Sequence, residues 1–412
     1  MDILSFVNGV EKSISNSFKR NEEICYFNSE KVLNAFRNCS VAQRHFSATN
    51  GYGYDDIGRD TLSKVYQKIF KTEAAIVSPN IVSGTHAISA MLFGILRPGN
   101  VLYSVTGYPY DTLIEVIDGV NIGSLRDFNI GFEQTPLIVN GNEVDFDYKD
   151  IEKKLKGDNK IKAVFIQRSR GYNWRNGLSV QKIQELCKYV KKINPNIVVM
   201  VDNCYGEFVE TLEPTEVGAD IVAGSLIKNP GGGIAPTGGY IVGREDLVKL
   251  VSYHLTAPSI GSEVGSYSFG YTQYYQGLFM APAIVKNALN ASLLFSACFS
   301  KLGFETLPDI SAPQSDIVTS IKFNQKEQLI EFCRAIQKSS PVDSNLVAEP
   351  WDMPGYAHQV IMAAGTFVQG SSIELSADAP IKEPYIAYVQ GALTYEHAKI
   401  ALVNAISSLK LL

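Results

Sequence analysis

From about residue 61 the chain alternates between two apolar patterns. "TLSKVYQKIF" spaces its apolar residues at helical intervals, "AAIVS" is a short apolar run, "SGTHAISAMLFGIL" opens with small residues and continues as a helix, and "NVLYSV" reads as a strand. The rhythm continues with "DTLIEVI" as a helix, "IKAVFIQ" as a strand, "SVQKIQELCKYVKKI" as an amphipathic helix, and "NIVVMVDN" and "ADIVAGS" as strands. A parallel sheet covered on both faces requires such runs, because every strand residue then meets an apolar layer. The pattern predicts an α/β large domain with a mostly parallel sheet over residues 61–290. Beyond it, "DIVTSIKF", "QVIMAAGTF" and "SSIELSA" alternate like half-exposed strands beside the helices "KEQLIEFCRAIQ" and "YEHAKIALVNAISSL". They predict a smaller α+β domain over 291–412. Residues 1–60 are mixed polar and aromatic and end in "TNGYGYDDIGRD", which reads as a loop closing an N-terminal arm.

Composition narrows the function classes. A chain of 412 residues is long enough to bury a cofactor, and 45% hydrophobic and 19% charged residues suit a folded globular protein. A net charge of -5 and a pI near 5.7 argue against a general nucleic-acid or anionic-membrane binder. The six cysteines form no C-x-x-C pair or metal-ligand spacing and are expected to be free thiols. No basic, apolar leader opens the sequence and no window reaches 18 uninterrupted apolar residues, so the expectation is a cytoplasmic protein with small-molecule partners or copies of itself.

Ligands of open α/β sheets bind at the carboxyl ends of the strands, so polar residues after each apolar run are the candidates. Ser83-Gly84-Thr85-His86 follow the first strand with small residues opening a helix, either a phosphate site or a plain helix cap. Asp202 ends "NIVVMV", where a buried carboxylate needs a partner: the next turn, or a protonated heteroaromatic nitrogen. "FIQRSRGYNWR" sets Arg168, Arg170 and Arg175 among aromatic residues, as a binding loop or a solvated one. "GSLIKNPGGGIAPTGGYIVG" places Lys228 at the end of an apolar run, with Ser225 before it and Gly231 to Gly233 after it. An amine in an apolar setting is expected to have a lowered pKa and to attack an aldehyde, while the glycines clear space for a cofactor and for neighbouring backbone. A phosphate-binding helix start, an acid 26 residues before a lysine and a hydroxyl three residues before it together describe a pyridoxal 5′-phosphate (PLP) site.

These motifs, with "GYGYDDIGRDTL", "SGTHAI", "GYPYDTL" and "VDNCYGEF" in order, resemble the fold-type I PLP enzymes of cysteine and methionine metabolism. The match is narrowest to the methionine γ-lyase-like family also labelled "aluminium resistance protein". The resemblance implies the PLP-dependent transferase-like fold. Lys228 would carry the cofactor as a Schiff base, Asp202 would partner the pyridine nitrogen, and Gly84, Thr85 and Ser225 would hold the phosphate. Tyr110, in preference to Tyr108, would stack on the ring. Tyr54 and Arg59 of the N-terminal arm would reach a neighbouring subunit's phosphate, implying a homodimer or homotetramer with active sites at the interface. Arg59 lies five residues after Tyr54, whereas the arginine of the familiar arm motif lies two after its tyrosine, at the position of Asp56 here.

An amino-acid substrate also needs a cation for its carboxylate. The familiar enzymes use an arginine of the C-terminal domain, yet beyond Arg244 this chain has only Arg334. The expectation falls on Arg170, then Arg168, with Arg175 and Lys382 of "APIKEPY" as further candidates. The implied activity is that of a carbon–sulfur lyase of methionine γ-lyase or cystathionine β-lyase type, releasing a thiol, ammonia and a 2-oxo acid from a sulfur amino acid. The same fold also hosts aminotransferases, and a non-catalytic PLP-binding regulator is the reading from another class.

Overall fold

The computed structural model describes residues 2–141, 143–353 and 356–412. Nine strands come first in the chain: β1 (Ala74–Ser78), β2 (Val101–Ser104), β3 (Gly131–Gln134), β4 (Ile138–Asn140), β5 (Glu143–Asp145), β6 (Ile161–Gln167), β7 (Val198–Asp202), β8 (Ile221–Ser225) and β9 (Gly239–Gly243). Seven form one sheet in the order β1-β9-β8-β7-β6-β2-β3, and β4 pairs with β5 as a separate hairpin. Within the sheet β3, β2, β6, β7 and β8 run parallel, and only the pairings of β9 are antiparallel.

The uninterrupted apolar runs are explained by what covers each face. In β6, Val164 and Ile166 join a core shared with the helices Ile57–Phe70, Tyr148–Gly157 and Val180–Ile193. Ala163 and Phe165, pointing the other way, join a core with the helices Gly84–Ile95, Asp111–Asp118 and Glu245–Leu255. Each buried valine, isoleucine or phenylalanine contributes about 1.5–3 kcal/mol relative to exposure, so both faces are driven to closure.

The second sheet is β10 (Glu305–Leu307), β11 (Val318–Phe323), β12 (Val360–Ala363), β13 (Ser376–Pro380) and β14 (Tyr385–Gln390), in the antiparallel order β10-β11-β14-β13-β12. Helices Lys326–Lys338 and Tyr395–Ser408 cover its apolar face. "SSIELSA" is largely loop: the strand begins only at Ser376. The stretch "TNGYGYDD" is a loop, as expected, but most of what precedes it is helical. Ile3–Ser13 and Ser15–Asn38 are helices, and the first packs into the second sheet's core through Val7 and Val10, with Glu11 bonded to Tyr395 and Lys399.

Both cores share the 30-residue helix Thr272–Lys301. Its residues to Leu289 belong to the first core and those from Ala291 to the second. This helix is long and apolar enough to cross a membrane, but 72% of its most apolar window is buried within the protein, which accounts for its composition.

The glycines after Lys228 serve chain packing. A Cβ on Gly277 of the long helix would lie 2.2 Å from the Gly231 carbonyl oxygen, and Gly232, at φ 56°, turns toward the Gly277 carbonyl. Gly231 and Gly232 therefore admit neighbouring backbone, as expected, and Gly233 admits the Leu393 side chain, but none of the three borders the cavity described below. Gly277→Ala is expected to destabilise the fold by roughly 1–3 kcal/mol through this overlap, read as a lower denaturant midpoint. Gly157→Ala, where an added Cβ meets nothing, is the control that should not lower it.

Candidate active site

Neighbouring parallel strands send their carboxyl ends to one edge of the sheet, which here is polar. Gln167 at the end of β6 pairs with Asp202 at the end of β7, and Asp202 pairs with Ala223 of β8, whose chain continues to Ser225 and Lys228. At this edge lies a cavity of about 410 Å³ bordered by Tyr108, Tyr110, Asp202, Tyr205 and Lys228, and closed on its other side by Asp378 and Lys382 from the second sheet.

Burial and charge act against each other here. Asp202 is buried, and burial pushes its carboxyl upward, opposed by the Lys228 ammonium and by the Cys204 backbone N–H, which donates to Oδ1 at 3.0 Å. The amine was expected to be lowered by apolar surroundings. Burial does act in that direction, but the ionisable groups around it, Cys204, Tyr205, Asp202 and Tyr110, outweigh it and hold Lys228 above the ordinary lysine value. These surroundings favour the ammonium form of Lys228. The Lys228 ammonium also lies 4.1 Å from the centroid of the Tyr205 ring. Tyr205 has φ 72°, a left-handed conformation costly for a bulky residue and concentrated at functional positions.

The helix Gly84–Ile95 presents its N-terminus to the same edge. Ser83 caps it, its Oγ accepting from the His86 N–H at 3.0 Å. Gly84 has no Cβ where one would stand 3.1 Å from the Ser225 Cβ and 3.3 Å from the Cys204 sulfur. Thr85 bonds the Tyr110 hydroxyl at 3.2 Å. Gly84, Thr85, Ser225, Tyr110, Asp202 and Lys228 are thereby brought together, and the preference for Tyr110 over the largely exposed Tyr108 agrees with this contact.

Comparison with known proteins identifies the arrangement. The profile of the methionine γ-lyase family matches residues 3–410. The chain belongs to that family. It is 48% identical over 403 residues to YnbB of Bacillus subtilis, covering 97% of this chain and 94% of that protein. It is 51% identical, with a TM-score of 0.94, to the crystal structure of a carbon–sulfur lyase involved in aluminum resistance from Clostridium novyi, covering 98% of this chain and 95% of that one. CalE6, a methionine gamma lyase from Micromonospora echinospora, shares the fold at a TM-score of 0.59 and 17% identity, covering 90% of this chain and 93% of that one.

Members of the methionine γ-lyase family are PLP-dependent, and the residues present fit that group. The helix N-terminus offers backbone N–H groups, the absence of a Gly84 Cβ lets that N-terminus pack close to Ser225, and the buried Asp202 carboxylate borders the cavity. The arm residues stand elsewhere within one chain. Tyr54 is exposed, and Arg59 bonds the carbonyls of Gly53 and Gly265 beside a different cavity, of about 340 Å³.

The cations expected for the substrate carboxylate require correction. Arg170 is 2% exposed and commits its planar fork to Asp316, at 2.9 and 3.3 Å, with a further bond to Ser320. Arg168 is fully buried, bonded to Glu210 at 2.7 Å and to Asn203 and the Gly206 carbonyl. Arg175 is buried against the carbonyls of Gln167 and Ser169. None of the three borders the cavity, whereas Lys382 does. The arginine-dense loop is thus a structural clamp, and Arg170 ties the first sheet's loop to β11 of the second sheet and to the residues leading into it.

Sequence reasoning missed Tyr205, Tyr172, Tyr356 and Asp378 as cavity residues. Tyr205 stood in the quoted "VDNCYGEF", three residues after Asp202, where an aromatic in a tight strand exit was the available signal. Asp378, in a strand of alternating small residues, was detectable only as a lone charge in an otherwise uncharged strand.

Arg170→Ala leaves Asp316 buried without its partner, so a stability loss of about 3–5 kcal/mol is expected in denaturant unfolding. Were Arg170 instead a substrate ligand, the variant would keep wild-type stability and show only a raised KM.

Proposed function

We propose that this carbon–sulfur lyase acts on sulfur amino acids, adding water overall and releasing a thiol, ammonia and a 2-oxo acid. The observation that carries the reading is that the buried Asp202 and the half-buried Lys228, at and just beyond neighbouring strand exits, share one cavity with Tyr110, whose hydroxyl bonds Thr85 at the start of the helix Gly84–Ile95. PLP, when bound, supplies an electron sink for a carbanion at the substrate α-carbon. Asp202 holds the proton on the pyridine nitrogen, since an anionic partner stabilises the pyridinium. Tyr110 stacks on the ring, and Gly84, Thr85 and Ser225 hold the phosphate. Lys228 removes the α-proton, for which its amine must shed the charge its neighbours favour. Lys382 anchors the substrate carboxylate, and Tyr54 and Arg59 complete the phosphate site of a second subunit, making the working unit a homodimer or larger.

The PLP-loaded protein should release free thiol, ammonia and 2-oxo acid in equal amounts from at least one member of a sulfur amino-acid panel. Transfer of the amino group to an added 2-oxo acid without thiol release would replace this reading with an aminotransferase. Borohydride reduction and peptide mapping should place the pyridoxyl mass on Lys228. Asp202→Asn should lower kcat by orders of magnitude while weakening cofactor binding less.

The shared site is tested separately. Inactive Lys228→Ala and inactive Arg59→Ala proteins should recover part of the activity when their subunits are exchanged. No recovery after demonstrated exchange would assign each site to a single chain.

A further inference from the structure

The wall that the second sheet contributes contains a charge for which the reading above has no use. Asp378 is the middle residue of β13. Its neighbours Ala377 and Ala379 point into the second core, so the alternation of the strand turns Asp378 and Pro380 the other way, and both border the cavity. Cross-strand register sets Asp378 opposite Tyr388 of β14 and Met362 of β12.

Three tyrosines from three chain segments stand around this carboxylate. Tyr388 is its buried cross-strand neighbour. The Tyr172 ring lies 5.1 Å from that of Tyr388 and 6.1 Å from that of Tyr356, and the Tyr172 hydroxyl is turned to the Asp378 carboxylate. Among the described residues Asp378 makes no salt bridge. The cations nearby have other commitments: Arg170 is paired with Asp316, and in the reading above Lys228 serves the cofactor and Lys382 the substrate carboxylate. A carboxylate in a recessed wall without a salt-bridge partner is costly, and burial, opposed by the Tyr172 hydroxyl and the Lys228 ammonium, pushes this one up to about 7. A carboxylate among tyrosine rings is also the composition that receives an organic ammonium, through its charge and through the ring faces.

We propose that Asp378, framed by Tyr172, Tyr356 and Tyr388, is a specificity-determining residue that receives an ammonium group on the leaving-thiol side of the substrate. The preferred substrates are then amino acids whose departing thiol is an aminothiol. This rests on the carbon–sulfur lyase reading. A substrate amine there would neutralise the carboxylate and release the water that otherwise hydrates both groups, whereas an uncharged tail leaves Asp378 unpaired and an anionic tail is repelled.

The test uses the PLP-loaded enzyme and three cysteine derivatives whose tails differ in charge: S-(2-aminoethyl)cysteine, its length-matched neutral analogue S-propylcysteine, and the anionic S-(2-carboxyethyl)cysteine. Thiol release should give a kcat/KM for the aminoethyl compound about ten- to a hundredfold above that for the propyl compound, with the carboxyethyl compound lowest. Asp378→Asn should collapse the aminoethyl-to-propyl ratio toward one, and Asp378→Glu should retain most of it. Equal rates for all three tails in the wild type would overturn the assignment. So would an Asp378→Asn enzyme that loses both reactions in proportion, which would mark Asp378 as a proton donor to the departing sulfur or as a structural residue. Titrating the same compounds against the cofactor's visible band separates the two layers of inference. A preference for the aminoethyl compound in binding, lost in Asp378→Asn but without thiol release, keeps the receptor and sinks the lyase reading. Thiol release with no preference in either assay does the reverse.

Discussion

Asp202 is a carboxylate that the fold buries at the polar edge of one sheet, beside the half-buried Lys228, and much else is arranged around that fact. A buried ion costs several kcal/mol unless opposite charge and hydrogen bonds offset it, and here the Lys228 ammonium and the Cys204 N–H act on the carboxylate. The meeting of Asp202 and Lys228 requires strands that end level with one another, which the parallel register of β6, β7 and β8 supplies. It also requires that the chain leave β8 without a bulky side chain in the way, which is where the glycines and the close approach of the helix Thr272–Lys301 enter. The strained Tyr205, with its ring beneath the ammonium, belongs to the same arrangement.

The large sheet could be read from the chain because a parallel strand covered on both faces leaves an unambiguous trace, an apolar run with a polar residue at its exit. Asp202 and Lys228 were found by looking at those exits. The antiparallel β9 and the opening helices were not, for different reasons. β9 is a short run set among glycines, where the apolar signal is brief. The helix Ser15–Asn38 has a polar composition and turns only a few residues inward, among them the buried polar Asn21 and Asn28.

The arginine-rich loop was misread because composition does not report a partner. Arg170 and Arg168 look like ligands for an anion in a sequence, and so they are, but the anions are Asp316 and Glu210 of the protein itself. Asp316 is remote in sequence, so no local pattern pointed to it. Conversely, a carboxylate that does face the cavity from the second sheet, Asp378, lies in a strand otherwise made of small residues and proline. A site made from two sheets is visible in sequence only on the wall whose strands carry a strong periodicity.

The helix Thr272–Lys301 runs unbroken from one core into the other, with its neighbours changing between Leu289 and Ala291. At about 1.5 Å per residue it acts as a rod some 45 Å long, set in both halves of the molecule. The two walls of the cavity are therefore not independent bodies on a flexible tether. Loosening either core frays the same helix, so the energy of one half is coupled to the order of the other. The separation between the wall that carries Lys228 and the wall that carries Asp378 is held by this rod, which makes it a molecular calliper for the length of whatever lies between them.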